Sequence, residues 1–124
     1  MDNPVKRIAI LGATGSIGQQ TLDIIRNFPG KFEIIGLTAG QNVSLLNKQI
    51  EEFKPKFYSH DSKDAKFDKA GSERIPAEEL ARHPTVDLVV VAASGKAGLA
   101  PTLAAVKAGK IVALANKESL VAAG

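Results

Sequence analysis

Apolar runs and amphipathic stretches alternate along most of the chain. Five apolar runs predict strands at residues 5–11, 31–39, 56–60, 86–93 and 110–115. The first of these runs is nearly continuous in apolar residues, which is typical of a parallel strand covered on both faces. Apolar residues at helical spacing predict helices at residues 17–28, 45–53, 76–82 and 99–108, and a further helix opens at residue 116.

Strands that alternate with helices predict a parallel sheet with right-handed helical crossovers. We therefore predict an α/β fold, a doubly wound parallel sheet of the Rossmann type, with the strand order 3-2-1-4-5. Residues 61–74 mix both signs of charge with glycine and serine, and they predict a surface loop or a poorly ordered helix. His60 and His83 have no neighbours that suggest a metal cluster or a catalytic triad, and we expect both at the surface.

The first predicted strand leads directly into a glycine-rich turn, GATGSIG. Gly12 permits a tight exit from the strand, Gly15 lets a pyrophosphate approach the backbone amides, and Gly18 lets the next helix lie close to the sheet. Thr14 and Ser16 can add hydroxyl donors, and the free amides at the start of the helix attract an anion. The GxxGxxG spacing predicts a dinucleotide site, and the alternative is a packing turn that binds no nucleotide.

The end of the second predicted strand indicates which dinucleotide is bound. An NAD-preferring fold places an acid there to hold the ribose hydroxyls, whereas this sequence has TAGQN at residues 38–42, with the nearest acid, Glu33, near the strand's start. No carboxylate in the turn repels a 2′-phosphate, so we predict NADP rather than NAD. The turn has no arginine or lysine to bind that phosphate, and a plain polar loop that caps the next helix is the alternative.

Polar residues also follow the last predicted strand, at Asn116, Lys117 and Glu118. Ligands of a doubly wound sheet bind outside the carboxyl ends of the strands, so these residues and Lys96 are expected at the same crevice as the glycine turn. The alternative is an exposed helix start with a glutamate in its first turn.

The composition restricts the function further. The chain has 124 residues, enough for one ordinary domain, and it has no cysteine, which excludes disulfides, thiolate zinc sites and a cysteine nucleophile. The net charge is only +3 and aromatic residues make up 5%, whereas nucleic-acid binders usually carry a dense basic stripe. No apolar run approaches the roughly 20 residues of a membrane span, and the polar start is not a signal peptide. We predict a cytoplasmic protein that binds neither nucleic acid nor membranes.

Three segments together resemble one family. They are GATGSIGQQTLDIIR after the first strand, TAGQNV after the second, and AGLAPTLAAVKAGKIVALANKESLVAAG at the end of the sequence. From about residue 6 to residue 124 they look like the N-terminal NADPH-binding domain of 1-deoxy-D-xylulose 5-phosphate reductoisomerase. The resemblance implies an enzyme of the non-mevalonate route to isoprenoids. Such an enzyme isomerises 1-deoxy-D-xylulose 5-phosphate and reduces it with NADPH to 2-C-methyl-D-erythritol 4-phosphate, and it requires Mg²⁺ or Mn²⁺.

The resemblance also implies roles for residues in each segment. The cofactor's pyrophosphate would lie in the turn from Gly12 to Gly18, against Thr14, Gly15, Ser16 and Ile17. The adenosine end, near the 2′-phosphate, would lie against Gly40, Gln41 and Asn42, although relatives often have a basic residue where Gln41 stands. Asn116 and Glu118 would contact the nicotinamide half, and Lys117 would bind the sugar-phosphate substrate.

The family's carboxylate metal ligands and its substrate-clamping residues lie beyond the ANKESLV block. We therefore expect no catalytic or metal-ligating residue here, and we interpret the chain as a truncated cofactor domain that binds NADPH without turnover, from an enzyme expected to be a homodimer. Two alternatives remain, a stand-alone NAD(P)-binding sensor and the cofactor domain of another GxxGxxG dehydrogenase. A short-chain dehydrogenase needs lysine four residues after a tyrosine, but Ser62 follows Tyr58 at that spacing, and a semialdehyde dehydrogenase needs a cysteine.

Overall fold

The computed structural model describes residues 5–61, 71–93 and 98–114. The elements of these residues, in chain order, are β1 (Lys6–Leu11), α1 (Ser16–Arg26), β2 (Phe32–Thr38), α2 (Val43–Phe53), β3 (Phe57–Ser59), β4 (Glu73–Arg74), α3 (Ala77–Ala81), β5 (Leu88–Val91), α4 (Leu99–Lys107) and β6 (Ile111–Leu114). The helix predicted to open at residue 116 lies outside the described residues.

The described strands form one parallel sheet in the order β4-β3-β2-β1-β5-β6. Helices α1 and α2 pack on one face of this sheet and α3 and α4 on the other, so the predicted doubly wound fold is confirmed. The predicted number of strands is wrong. The five predicted strands keep the relative order 3-2-1-4-5, and β4 adds a sixth strand at the edge beyond β3.

The edge strand β4 lies in a region that the sequence predicts to be a loop or a helix. Glu73 and Arg74 are both charged and exposed, so they give no hydrophobic signal. The strand exists because its backbone pairs with β3: the N–H of Glu73 donates to the carbonyl of Lys56 at 2.9 Å, and the N–H of Ile75 donates to that of Tyr58 at 3.0 Å. Charged side chains on a very short edge strand also discourage pairing with other chains.

Alternation along β1 divides the core between the two faces of the sheet. Ile8 and Ile10 point toward α1 and α2, where the buried residues include Leu22, Leu46 and Ile50. Ala9 and Leu11 point the other way, toward a second cluster with residues of α3, β5 and α4, namely Leu80, Val89 and Ala105. β1 is therefore buried on both faces, as its continuous apolar sequence predicts.

Helix boundaries differ from the predictions by a few residues. α1 ends at Arg26 and α2 begins at Val43, with the Asn42 side chain accepting a hydrogen bond from the N–H of Leu45 at 3.2 Å. Asn42 is thus the cap of α2. Pro76 precedes α3 as its N-cap, with φ −60° and ψ 146°, and is not its first helical residue.

An ion pair joins β1 to the start of β5 at the amino ends of the strands. The Arg7 guanidinium donates from Nε and Nη2 to the two carboxylate oxygens of Asp87, both at 3.1 Å, and the Arg7 backbone N–H donates to the same carboxylate. These hydrogen bonds and the positive charge lower the pKa of the Asp87 carboxyl. The pair is only half-buried, so it fixes the position of the strand ends more than it stabilises the fold.

We predict that Asp87→Asn destabilises the protein at neutral pH and that this effect shrinks on acidification. Because the folded-state pKa of Asp87 is lowered, its contribution is fully present above the ordinary pKa of about 3.9 and is lost as the pH falls through the folded-state value. Urea denaturation of both proteins over a series of pH values measures the difference in unfolding free energy.

An Arg7→Met background supplies the control. Without the guanidinium only the backbone N–H of residue 7 and the charge of Lys6 still lower the pKa of Asp87, so Asp87→Asn should have a smaller pH-dependent effect there. A destabilisation by Asp87→Asn that stays constant into strong acid would contradict the prediction.

Candidate functional site

The carboxyl ends of β1, β2, β3 and β5 border one continuous crevice. A narrow part, about 80 Å³, lies between the ends of β1, β2 and β5 and is lined by Gly12, Gly40 and Ala93. A wider part, about 580 Å³, extends over the ends of β3 and β4 toward the starts of α3 and α4. Ser59, Asp61, Ala77 and Pro101 line both parts. This is the side of a doubly wound sheet on which ligands bind.

Gly12 ends β1 in a conformation that favours glycine. Its φ is +85°, and a Cβ at this position would lie 2.6 Å from the backbone nitrogen of Ala93, which follows β5. The role predicted for Gly12, a tight exit from the strand, is therefore supported by both its dihedral angle and its packing.

Gly18 lets α1 lie directly on the glycine turn. A Cβ here would come within 2.1 Å of the Gly12 carbonyl oxygen and 2.7 Å of the Ala13 backbone. The sequence predicts close approach to the sheet, and the structure specifies the turn itself as the contacted surface.

Gly15 differs from the other two glycines. It is the exposed N-cap of α1, with φ −75° and ψ 172°, and a Cβ would meet only the Gly12 oxygen, at an ordinary 3.7 Å. The protein alone therefore gives no steric reason for glycine at this position.

The N-terminus of α1 carries groups that could bind an anion. The N–H groups of Ser16, Ile17 and Gly18 have no acceptor within the helix, because the first helical hydrogen bond runs from Gln19 N–H to the Gly15 carbonyl at 2.9 Å. The first turn contains no acidic residue. Free amides at the positive end of the helix dipole suit a phosphate.

Two residues from outside the glycine turn hold its backbone. Thr38, the last residue of β2, accepts from the N–H of Gly12 through its hydroxyl at 3.0 Å and from the N–H of Ala13 through its carbonyl at 2.7 Å. Gln49 of α2 is buried and donates from Nε2 to the Ala13 carbonyl at 2.8 Å. Sequence reasoning missed Gln49, although its position three residues after buried Leu46 places it on the inner face of α2.

The turn after β2 is exposed at Gly40, Gln41 and Asn42. The Asn42 side-chain oxygen caps α2, and the Gln41 side chain donates from Nε2 to the Asp61 carbonyl at 3.1 Å. The N–H of Asp61 donates in turn to the Gly40 carbonyl at 2.9 Å. The turn has no acid in its own sequence, but the fold brings Asp61 beside it.

The expectation that His60 lies at the surface is wrong, because only 4% of its surface is exposed. It follows β3, its ring stacks on Tyr58 with centroids 6.2 Å apart, and its carbonyl accepts from Nη2 of Arg74 at 3.1 Å. His83 is half-buried, and its Nδ1 lies 2.8 Å from the Thr85 hydroxyl oxygen.

Lys96, Asn116, Lys117 and Glu118 lie outside the described residues. Within the described ranges, no three His, Cys, Asp or Glu side chains are grouped so that they could hold a metal ion. The same ranges contain no helix that is both long and apolar enough to span a membrane.

Comparison with known proteins relates this site to one family. The family model of 1-deoxy-D-xylulose 5-phosphate reductoisomerase matches residues 8–124. A curated relative of that name from Caldanaerobacter subterraneus is 48% identical over 97% of this chain and 34% of its own length. The chloroplastic relative from Mentha piperita is 49% identical over 96% of this chain and 28% of its own length. The chain thus spans about a third of the length of the curated relatives it matches.

Solved structures of the same family also resemble this chain. A DOX-P reductoisomerase in complex with NADPH, fosmidomycin and magnesium is 37% identical, with a TM-score of 0.77 over 94% of this chain and 31% of that one. The reductoisomerase from Zymomonas mobilis in complex with NADPH is also 37% identical, with a TM-score of 0.75 over 97% of this chain and 34% of that one. Biliverdin reductase from Synechocystis, at 21% identity and a TM-score of 0.60, shares the fold alone.

We predict that Gly18→Ala destabilises the fold by about 1–3 kcal/mol, the usual range for overpacking. Alanine has the higher helix propensity, by about 1 kcal/mol, but its Cβ would overlap the Gly12 carbonyl oxygen. Urea denaturation measures the change. Gly15→Ala is the matched control, since its Cβ meets no close atom, and it should remain within about 1 kcal/mol of wild type. A Gly18→Ala protein as stable as wild type would contradict the close packing of α1 on the turn.

Proposed function

The chain belongs to the 1-deoxy-D-xylulose 5-phosphate reductoisomerase family, and from that premise we propose that residues 1–124 form its NADPH-binding domain. The observation that carries the proposal is the N-terminus of α1, whose free amides lie directly after β1 at the carboxyl edge of the sheet. Two solved relatives of the family are complexes with NADPH. NADPH would supply the reducing equivalents of the reaction.

The glycine turn is proposed to hold the cofactor's pyrophosphate. Thr14, Gly15, Ser16 and Ile17 would contact it, and the packing of Gly12 and Gly18 supports this assignment because it fixes the turn on which those four residues lie. The absence of a steric reason for glycine at position 15 supports a ligand there, since a bound phosphate is the group that a Cβ would obstruct.

The turn after β2 is proposed to hold the adenosine end of the cofactor. Gly40, Gln41 and Asn42 are exposed, and Gly40 lines the narrow part of the crevice. The turn carries no carboxylate of its own, which favours NADPH over NADH, whereas Asp61 nearby opposes a 2′-phosphate.

We propose that the reacting end of the cofactor and the substrate contact Asn116, Lys117 and Glu118. Asn116 and Glu118 would contact the nicotinamide half, and Lys117 would bind the sugar phosphate, where a fixed ammonium suits an anion. These three assignments rest on family membership, because the residues lie outside the described ranges.

The whole protein is proposed to isomerise and reduce 1-deoxy-D-xylulose 5-phosphate to 2-C-methyl-D-erythritol 4-phosphate with Mg²⁺ or Mn²⁺. We place the metal ligands and the other substrate contacts in the two thirds of the relatives' length that these residues do not match. Large apolar side chains exposed on α4 and β6 support contact with a further part of the protein; they are Leu99, Leu103, Val106, Ile111 and Leu114. We further propose that the enzyme is a cytoplasmic homodimer.

We predict that the 124 residues bind NADPH more tightly than NADH and do not convert the substrate. The glycine turn and the acid-free β2 turn supply the binding, and the described residues contain no cluster that could ligate a metal. Calorimetric titration with each cofactor measures the affinities, and an assay with Mn²⁺ measures turnover. Folded protein that binds no NADPH at millimolar concentration would refute the nucleotide site, and measurable turnover would refute the absence of catalytic groups.

We also predict that Gly15→Ala weakens NADPH binding by roughly tenfold or more without changing the fold. Losing one hydrogen bond to a charged group costs about 1.5–3 kcal/mol, and the new Cβ would hold the pyrophosphate away from the amides. Calorimetry measures the affinity and urea denaturation measures the stability. Gln20→Ala, on the exposed side of α1, is the control and should bind NADPH as wild type does. Unchanged affinity in Gly15→Ala would place the pyrophosphate elsewhere.

A further inference from the structure

Arg74 carries a positive charge at the wall of the wide part of the crevice. It is exposed and lies on β4, the edge strand that the sequence does not predict. Among the described residues that line either part of the crevice, Arg74 is the only lysine or arginine. It makes no ion pair with any described residue, although Asp61 and Glu78 line the same wide part.

The position of Arg74 is fixed by the sheet. Hydrogen bonds to β3 on both sides of Arg74, from Glu73 and Ile75, hold its backbone in register with Tyr58. Residues in register point to the same face of a sheet, and Tyr58 packs in the cluster that contains Leu46 and Ile50 of α2. Arg74 therefore lies on the face covered by α2, the helix that follows the proposed adenosine turn.

Arg74 and Gln41 donate hydrogen bonds to the carbonyl groups of two consecutive residues, His60 and Asp61. Arg74 donates from Nη2 to the carbonyl of His60 at 3.1 Å, and Gln41 donates from Nε2 to the carbonyl of Asp61 at 3.1 Å. One end of this two-residue segment is thus bonded to the adenosine turn, and the other to the guanidinium. An arginine has five N–H donors, so this single bond leaves donors available to a ligand.

We propose that Arg74 is a specificity-determining residue that binds the 2′-phosphate of NADPH. This inference rests on the proposed function. The turn at residues 38–42 has no cation, and the fold supplies one from β4 instead. A guanidinium recognises a phosphate through parallel N–H donors, whereas the 2′-hydroxyl of NADH offers it no charge. Asp61, on the same wall, acts in the opposite direction by repelling the phosphate.

Arg74→Gln tests the proposal, because glutamine removes the charge and keeps a donor for the His60 carbonyl. Calorimetry measures the affinities for NADPH and NADH and for the fragments 2′,5′-ADP and 5′-AMP. The fragments isolate the adenosine end from the nicotinamide half. We expect NADPH and 2′,5′-ADP to bind about tenfold more weakly, since a hydrogen bond to a charged group is worth about that factor, with NADH and 5′-AMP unchanged. Arg74→Lys should give an intermediate loss.

Arg82→Gln is the matched control. Arg82 is also exposed, but it lies at the far end of α3 from the residues that line the crevice, so the same change in charge there should leave the NADPH to NADH preference unchanged. Asp61→Asn should raise the preference for NADPH, because it removes the opposing carboxylate. Thermal unfolding shows whether each variant is folded. If Arg74→Gln does not fold, Arg74→Met replaces it in the same titrations.

The outcomes separate this proposal from the function it rests on. If folded wild-type protein binds neither NADPH nor NADH, the proposed function fails. If wild type binds NADPH and the folded Arg74 variants keep its preference over NADH, the role of Arg74 is overturned and the cofactor domain stands. An equal loss for both cofactors would likewise overturn it, because such a loss reports a change in the shape of the crevice.

Discussion

The packing of three backbone segments around Gly12 is the constraint on which the rest of this structure depends. The end of β1, the residues after β5 and the first turn of α1 meet so closely that neither Gly12 nor Gly18 has room for a Cβ. Gly12 also adopts a positive φ, which side chains disfavour. This contact sets where α1 begins, and therefore where its unpaired amides lie relative to the sheet.

Hydrogen bonds from elements distant in sequence also hold the glycine turn. Thr38 holds two N–H groups of the turn, and Gln49 holds the Ala13 carbonyl from α2. The end of β2 and the inner face of α2 are thus bonded to the turn that follows β1. At the amino ends of the strands, Arg7 and Asp87 join β1 to β5. The two strands that flank the turn are therefore joined at both ends.

Charge is distributed unevenly along the crevice. The α1 end presents free amides and no acid, whereas the end over β3 and β4 places Arg74 among the acids Asp61 and Glu78. Arg74 lies on β4, which pairs with β3, Asp61 follows β3, and Glu78 lies in α3, which follows β4. The charges of the wide part of the crevice therefore depend on the β3–β4 edge of the sheet, where strands are short and sequence signals are weak.

The sequence by itself determined the doubly wound fold, the relative order of its five apolar strands and the glycine turn, because buried strands and glycine-dependent turns leave local signals. Only the tertiary structure decided that β4 exists, that His60 is buried and that Gln49 donates to Ala13. It also decided that Asp61 lies beside the acid-free turn after β2 and that Arg74 bonds to the neighbouring His60. These features arise from backbone pairing and from contacts between residues far apart in the chain, and a polar or charged side chain carries no local pattern that reports such contacts.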